Sequence, residues 1–370
     1  MPPSHMIAML GDLHTLLAFI IVLGILVSVH EFGHYAVARW RGVHVETFSV
    51  GFGPALFSRT DRHGTVWKLS IIPLGGYVRL QGWAELGGET TGEDAPGSFR
   101  TKSLAARALI IAAGPFANFV LALLILIAVT ATLGRETVLP VITGVIAQSP
   151  AAQAGLQPGE TIVSVNGTKV SNFIALHRLV APFPGQSLTF VLQNHGQTHK
   201  VALIPARKIV GGHAIGEIGI IGGKIARQPV SLPHAIIIGA EQTYGLTAAT
   251  LHGLWRLVAY QRGVQDLGGP VKIAELSGQA ASQGAGDFFT FIAILSVNLG
   301  LLNLVPIPIL DGGHLLYYAY EAIRRRPLPR SVQELGLGLG AMILLTLILA
   351  VSWHDLHIPS PVTWLSHALG

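Results

Sequence analysis

The sequence predicts a polytopic α-helical membrane protein with four transmembrane helices, a small membrane-associated β-hairpin or sheet, and one inserted α+β domain. Three observations carry this reading. Half of the 370 residues are hydrophobic and 12% are charged, with 44 glycines and a mean hydropathy of +0.55; soluble domains carry about 25% charged residues, and glycine is frequent in spanning helices. Four apolar stretches reach bilayer length, at roughly 16–38, 105–133, 288–322 and 335–351. Between the second and third lies a stretch of short alternating runs punctuated by Gly and Pro, 139–208, which reads as a folded domain outside the bilayer.

Charge sets the orientation. Residues 1–14 and 354–370 hold no Lys or Arg, whereas Arg39, Arg41, Lys102 and Arg107 edge the loop after the first span and Arg324, Arg325, Arg326 and Arg330 mark the loop before the fourth. The excess of cations on cytoplasmic loops puts both loops in the cytoplasm and both termini outside. The segments are then a first span to residue 38, a cytoplasmic loop 39–104, a second span 105–133, the inserted domain 139–208, a linker with surface helices 209–286, a third span 287–323, a basic loop 324–334, a fourth span 335–352 and an outer tail 353–370. The net charge of +5 and isoelectric point near 9.6 gather beside these spans, which argues for membrane lipid as the partner and against nucleic acid. No cysteine is present, which excludes a disulfide framework and a thiol nucleophile and leaves His, Asp and Glu to hold any metal.

The first span contains Val29-His30-Glu31-Phe32-Gly33-His34. On a helix His30 and His34 are one turn apart on one face, so both imidazoles reach one metal ion. Neutral imidazole suits zinc, with room for a third protein ligand and a water. Glu31 sits beside them, with a carboxylate that can take a proton from that water. Ionisable groups at membrane depth are expensive and mark a functional site. Because this run carries the motif, it is not expected to be a cleaved signal peptide.

Residues 47–81 read as strands with turns at Gly51-Phe-Gly-Pro and Gly75-Gly76. Such a sheet is either a plain structural hairpin or an edge that pairs with an extended substrate. Residues 83–96 are rich in Gly and acidic residues and read as a surface loop. In the second span, Gly114-Pro115-Phe116-Ala117-Asn118 combines a break and close packing with a buried polar group that needs a partner, and packing is its expected role. The inserted domain resembles a bacterial PDZ domain in Ala154-Gly-Leu-Gln-Pro-Gly-Glu160 followed by Val165-Asn166-Gly167. PDZ domains bind extended peptide termini by strand addition. Residues 231–260 are apolar but include Glu241 and Arg256; a fifth crossing there would put the Arg cluster outside, so they read as amphipathic helix on the outer surface.

The third span carries Asn298 and then Asn303-Leu-Val-Pro306-Ile-Pro308-Ile-Leu-Asp311-Gly-Gly-His314. Two prolines two apart break the backbone. An acid in an apolar segment needs a cation, and zinc on His30 and His34 supplies one. Two histidines plus a carboxylate are a catalytic zinc set, with His314 left as a supporting or packing residue. His34 lies about 8 Å of helix before Arg39 and Asp311 about 20 Å before Arg324, so the helix after Gly313 has to tilt or project beyond the bilayer.

With both outer motifs in hand, the chain resembles the site-2 protease family of intramembrane zinc metalloproteases, of the bacterial regulator of sigma-E protease type, with one PDZ domain. The resemblance covers most of the chain. It implies zinc held by His30, His34 and Asp311, and Glu31 as general base. It implies that Asn298 and Asn303, with the broken Pro306–Pro308 segment, bind a substrate strand that also pairs with the hairpin. It further implies single-span membrane substrates already trimmed outside, such as anti-sigma factors and signal-peptide remnants. The setting is a bacterial inner membrane, with both termini and the PDZ domain periplasmic and the active site toward the cytoplasmic side. Two other classes share some of these features. A metal transporter would bury His and Asp but has no use for Glu31 between them, and metal flux in vesicles separates it. A catalytically silent PDZ scaffold would not keep the metal motif intact.

Overall fold

The structure, a computed structural model, describes residues 3–83, 95–194, 196–210, 213–260 and 268–355. The outer tail and most of the Gly- and acid-rich loop lie outside the described residues. The chain forms two units, Thr130–Ser231 and a second made of Met1–Val129 with Leu232–Gly370.

The larger unit begins with helix α1 (Pro3–Trp40), which carries the His-Glu-x-x-His motif. Its end is chemically defined. Gly42 takes a left-handed φ of 71°, Val43 N–H donates to Ala38 O (2.8 Å) and Gly42 N–H to Arg39 O (3.0 Å), the paired bonds that close a helix over its last carbonyls. Strands β1 (Val45–Thr60) and β2 (Val66–Leu80) follow. Phe48, Ser49 and Val50 register with Val78, Tyr77 and Gly76, and also with Trp67, Lys68 and Leu69. Residues from Ala55 to Thr60 then register with Ser70 to Val66. Each long strand therefore bends back near the predicted turns, where Gly51, Gly53 and Gly75 have φ of 89°, 84° and 136° that favour glycine. Tyr35, Phe48 and Trp67 meet at ring centroid distances of 4.7–5.8 Å and anchor this sheet to α1.

Helix α2 (Leu104–Leu133) contains Pro115. Helices α5 (Leu232–Tyr260), α6 (Pro270–Gln283) and α7 (Ala285–Asn303) come after the smaller unit. The segment read as one third span is two helices: α7 ends at Asn303, and α8 (Asp311–Arg324) starts afresh beyond the two prolines. Helix α9 (Arg330–Asp355) closes the described chain. Among the described residues, four helical segments are long and apolar enough to cross a membrane: Asp12–Trp40, Leu104–Leu133, Ala285–Asn303 and Ser331–Ser352. The 29-residue α5 is not among them, since Glu241, Arg256 and its other polar residues dilute it.

In lipid the hydrophobic drive between helices is absent, so close packing must hold them. The contacts match that requirement. A Cβ at Gly33 of α1 would collide with the Ala113 carbonyl of α2 and stand 2.8 Å from Ala117 Cβ. Gly300 of α7 packs closely on α2 as well, since a Cβ there would stand only 3.0 Å from the Pro115 carbonyl oxygen. Around these points Val22, Leu26, Ala122, Leu126, Ile292 and Val297 are buried.

The smaller unit holds β3 (Arg135–Val145), α3 (Pro150–Gln153), β4 (Thr161–Val165), β5 (Thr168–Lys169), α4 (Phe173–Val180), β6 (Leu188–Asn194), β7 (Gln197–Leu203), β8 (Ala206–Val210), β9 (His213–Glu217) and β10 (Ile220–Gln228). Its main sheet runs β10-β3-β4-β6-β7, with β5 on β4, and β8–β9 form a separate hairpin. Ser149 and Asn172 cap α3 and α4 by accepting from Ala152 N–H (3.3 Å) and Ala175 N–H (2.7 Å). Alternation along β6 buries Leu188, Phe190 and Leu192 against Ile142 and Ile162. The unit is wider than 139–208, because β10 returns to pair with β3 along most of its length.

Candidate metal centre

Helical spacing brings His30 and His34 to one side of α1, and the break at Pro306–Pro308 lets α8 start with Asp311 facing them. Gly312 and Gly313 make that start possible: a Cβ on either would collide with the Leu304 or Ile307 carbonyl. His30 Nε2 lies 3.2 Å from His34 Nε2 and 3.1 Å from Asp311 Oδ2, while His34 Nε2 lies 3.6 Å from Asp311 Oδ1. All three side chains are at least 88% shielded from solvent.

Zinc suits this donor set. Tetrahedral ligands about 2.0–2.1 Å from the ion stand roughly 3.3 Å apart, which is the spacing these three atoms already have. Asp311 Oδ2 is buried yet accepts no hydrogen bond, a costly condition for a carboxylate oxygen unless a cation faces it. The outer edges of both rings are also occupied. His34 Nδ1–H donates to Ile110 O at 2.9 Å, and His30 Nδ1 lies 3.1 Å from the Asn118 amide. The inner face of α2 is bare at Gly114, where a Cβ would collide with His34 Nε2 and stand 2.8 Å from His30 Nε2.

The three ligand candidates open on a cavity of about 230 Å³. Glu31 and Asn303 are in its wall, with Val27, Val78, Trp83 and Leu310 supplying apolar surface. Asn303 Nδ2 comes within 3.5 Å of His30 Nε2. Of the other residues singled out from sequence, Asn298 faces α5 and its Oδ1 accepts from the Thr250 hydroxyl at 2.7 Å. The cavity wall beyond the prolines is Ile309 and Leu310, with Pro308 turned toward Gly336 of α9. His314 stands edge-on to Trp83 and Tyr317 at 5.7 and 6.2 Å. Sequence reasoning missed Trp83 and Val78, which carry no pattern of their own, and the Ile110 carbonyl, which no side chain advertises.

Two imidazoles and a carboxylate whose ligand atoms lie close together, with a glutamate in the wall of the same cavity, form a donor set that could hold a metal ion. The comparisons with known proteins agree. The profile described as Peptidase family M50 matches residues 18–347. "Putative zinc metalloprotease Atu1380" of Agrobacterium fabrum is 39% identical over 91% of this chain and 94% of its own length. Metalloprotease MmpA of Caulobacter vibrioides is 33% identical over 94% of this chain and 97% of its own, and regulator of sigma-E protease RseP of Escherichia coli is 32% identical over 94% and 99%. Among solved structures, the PDZ domain of an SdrC-like protein from Listeria monocytogenes covers 22% of this chain and 84% of its own at 16% identity, with a TM-score of 0.20, too distant a likeness to assign the smaller unit. The chain belongs to peptidase family M50, the site-2 protease type. It is a zinc metalloprotease with four helices suited to a membrane.

Proposed function

We propose that this protein is an intramembrane endopeptidase in which His30, His34 and Asp311 hold the zinc and Glu31 is the general base. The observation that carries the reading is the 3.1–3.6 Å triangle of ligand atoms beside Glu31. Zinc, when bound, lowers the pKa of a coordinated water and polarises the scissile carbonyl. Glu31 takes the proton from the attacking water and returns it to the leaving amine. Val27, Val78, Trp83 and Leu310 supply apolar surface beside the ligand candidates, and Asn303 offers its carboxamide to the peptide backbone beside the reacting carbonyl.

A substrate helix hides its amides in hydrogen bonds and has to unwind before it can be cut. The 76–80 edge of β2 suits that task, because a methyl group added at Gly76 would touch Val27 at 3.5 Å and Glu31 Cγ at 3.7 Å. An extended substrate segment adding to this edge would lie along the site. Asn303, Ile309 and Leu310 form the cavity wall on the α7–α8 side. The substrates are single-span membrane proteins, with trimmed anti-sigma factors and signal-peptide remnants as the expected cases. The home is a bacterial inner membrane, with both termini and the smaller unit periplasmic and the active site toward the cytoplasmic side.

Purified protein in detergent should cut a single-span test substrate inside or at the edge of its span, and zinc removal should stop it. Intact substrate after prolonged incubation with zinc-loaded protein would refute the reading. Asp311→Asn should lose zinc by at least roughly tenfold in affinity and lose cleavage with it, since a neutral amide is a poor zinc ligand. Metal content and turnover equal to wild type would remove Asp311 from the site.

The smaller unit is proposed to be a PDZ domain that screens substrates, by binding a newly exposed C-terminus or by excluding bulk. Its support is the Ala154–Glu160 and Val165–Gly167 signature, set in a sheet with the two capped helices α3 and α4. Replacing 135–228, which removes every strand of the smaller unit, by a short flexible linker should preserve cutting of a trimmed substrate and raise cutting of the untrimmed one. The ratio of the two rates decides; an unchanged ratio in an active deletion protein places selection elsewhere.

A further inference from the structure

The geometry points to Asn118 as a positioning residue that fixes the His30 tautomer by presenting its carboxamide oxygen to His30 Nδ1–H; this rests on the proposed zinc ligands. The two imidazoles face opposite sides of one problem. Each must offer a bare Nε2 toward Asp311, so each must carry its proton on Nδ1 and find an acceptor for it. His34 has one, the Ile110 carbonyl at 2.9 Å. At the Nδ1 edge of His30 lies Asn118, 3.1 Å away and fully buried.

As placed, it is the Asn118 amide nitrogen that faces His30 Nδ1, while the buried Asn118 Oδ1 has no hydrogen-bond partner. A nitrogen in that position would donate to Nδ1 and force the proton onto Nε2, where it would block the metal. Turning the carboxamide by 180°, which leaves its shape unchanged, removes both faults. The orphaned oxygen gains a donor and His30 Nε2 is freed for zinc. The backbone of Asn118 is independently pinned, because Ser296 Oγ–H of α7 donates to its carbonyl at 2.8 Å. Residues 110–118 of α2 thus hold both rings from outside while α8 closes from the other direction.

The test separates an acceptor from a packing residue. Asn118→Leu keeps the branched shape with bulkier ends and removes the acceptor; Asn118→Asp keeps an oxygen acceptor and removes the amide donors. Zinc affinity is measured by chelator competition in detergent, alongside thermal melts of the zinc-free proteins. Asn118→Leu should bind zinc roughly 10–100-fold more weakly, and Asn118→Asp should stay within about threefold of wild type. If Asn118→Leu binds zinc like wild type, or if a folded Asn118→Asp loses as much as Asn118→Leu, the assignment is overturned. Should Asn118→Leu fail to fold, Asn118→Asp decides alone, since a donor role predicts loss and an acceptor role retention. Wild-type protein that holds no zinc in the same titration would instead remove the ligand triad itself.

Discussion

Glu31→Gln should keep its zinc and lose its cleavage. The substitution preserves size and hydrogen-bonding reach but removes the group that can accept a proton, and loss of a general base costs about 10²–10⁴ in rate. Zinc should stay because the proposed ligand atoms are on His30, His34 and Asp311, a group that does not include Glu31 of the same cavity wall. Zinc content and turnover of a single-span substrate, measured on one preparation, give the answer. Turnover near wild type would remove Glu31 from the chemistry, and loss of zinc would put it among the ligands. Set beside Asp311→Asn, where zinc and activity should fall together, the pair assigns two carboxylates in one cavity to different roles.

Much of this arrangement was legible in the sequence because it obeys short-range rules. Four-residue spacing fixes the common face of His30 and His34, and two prolines two apart forbid a continuous helix, so a break before Asp311 follows from covalent geometry. The turns at Gly51–Pro54 and Gly75–Gly76 were readable for the same reason. The apparent depth mismatch between His34 and Asp311 has its resolution in that break, since α8 is a helix separate from α7 and free to take its own direction. What sequence could not supply is pairing at long range. Arg107 reaches Glu321 at 2.6 Å and lies over the Tyr318 ring at 5.1 Å, tying the start of α2 to α8 across 214 residues. Asn298, grouped with Asn303 by composition, turns to Thr250 of α5, a partner no local pattern names. Asn118 was visible as a polar residue in need of a partner, but which partner depends on how α1 and α2 pack.

Gly114→Ala should empty the site while leaving the fold in place. Gly114 lies where α2 crosses the proposed metal ligands, and an added Cβ would overlap His34 Nε2 and press on His30 Nε2 at 2.8 Å. Neither ring can withdraw freely, because Ile110 O and Asn118 hold their outer edges, and Gly33 against Ala113 already sets α1 and α2 at closest approach. The methyl must therefore displace the ligand nitrogens or the helix, and a misplacement of about 1 Å in a catalytic constellation costs on the order of 100-fold. Zinc affinity should fall with activity, since the displaced atoms are the ligands themselves. Gly24→Ala on α1 is the matched control: nothing lies within 4 Å of its Cβ position, and Ala is the better helix former there. Zinc affinity, cleavage and melting temperature are compared across wild type and both variants. Gly24→Ala should match wild type throughout, and Gly114→Ala should keep its folded state without metal and lose zinc and turnover. A Gly114→Ala protein that binds zinc and cuts like Gly24→Ala would mean that the metal does not sit between His30, His34 and Asp311 under this face of α2.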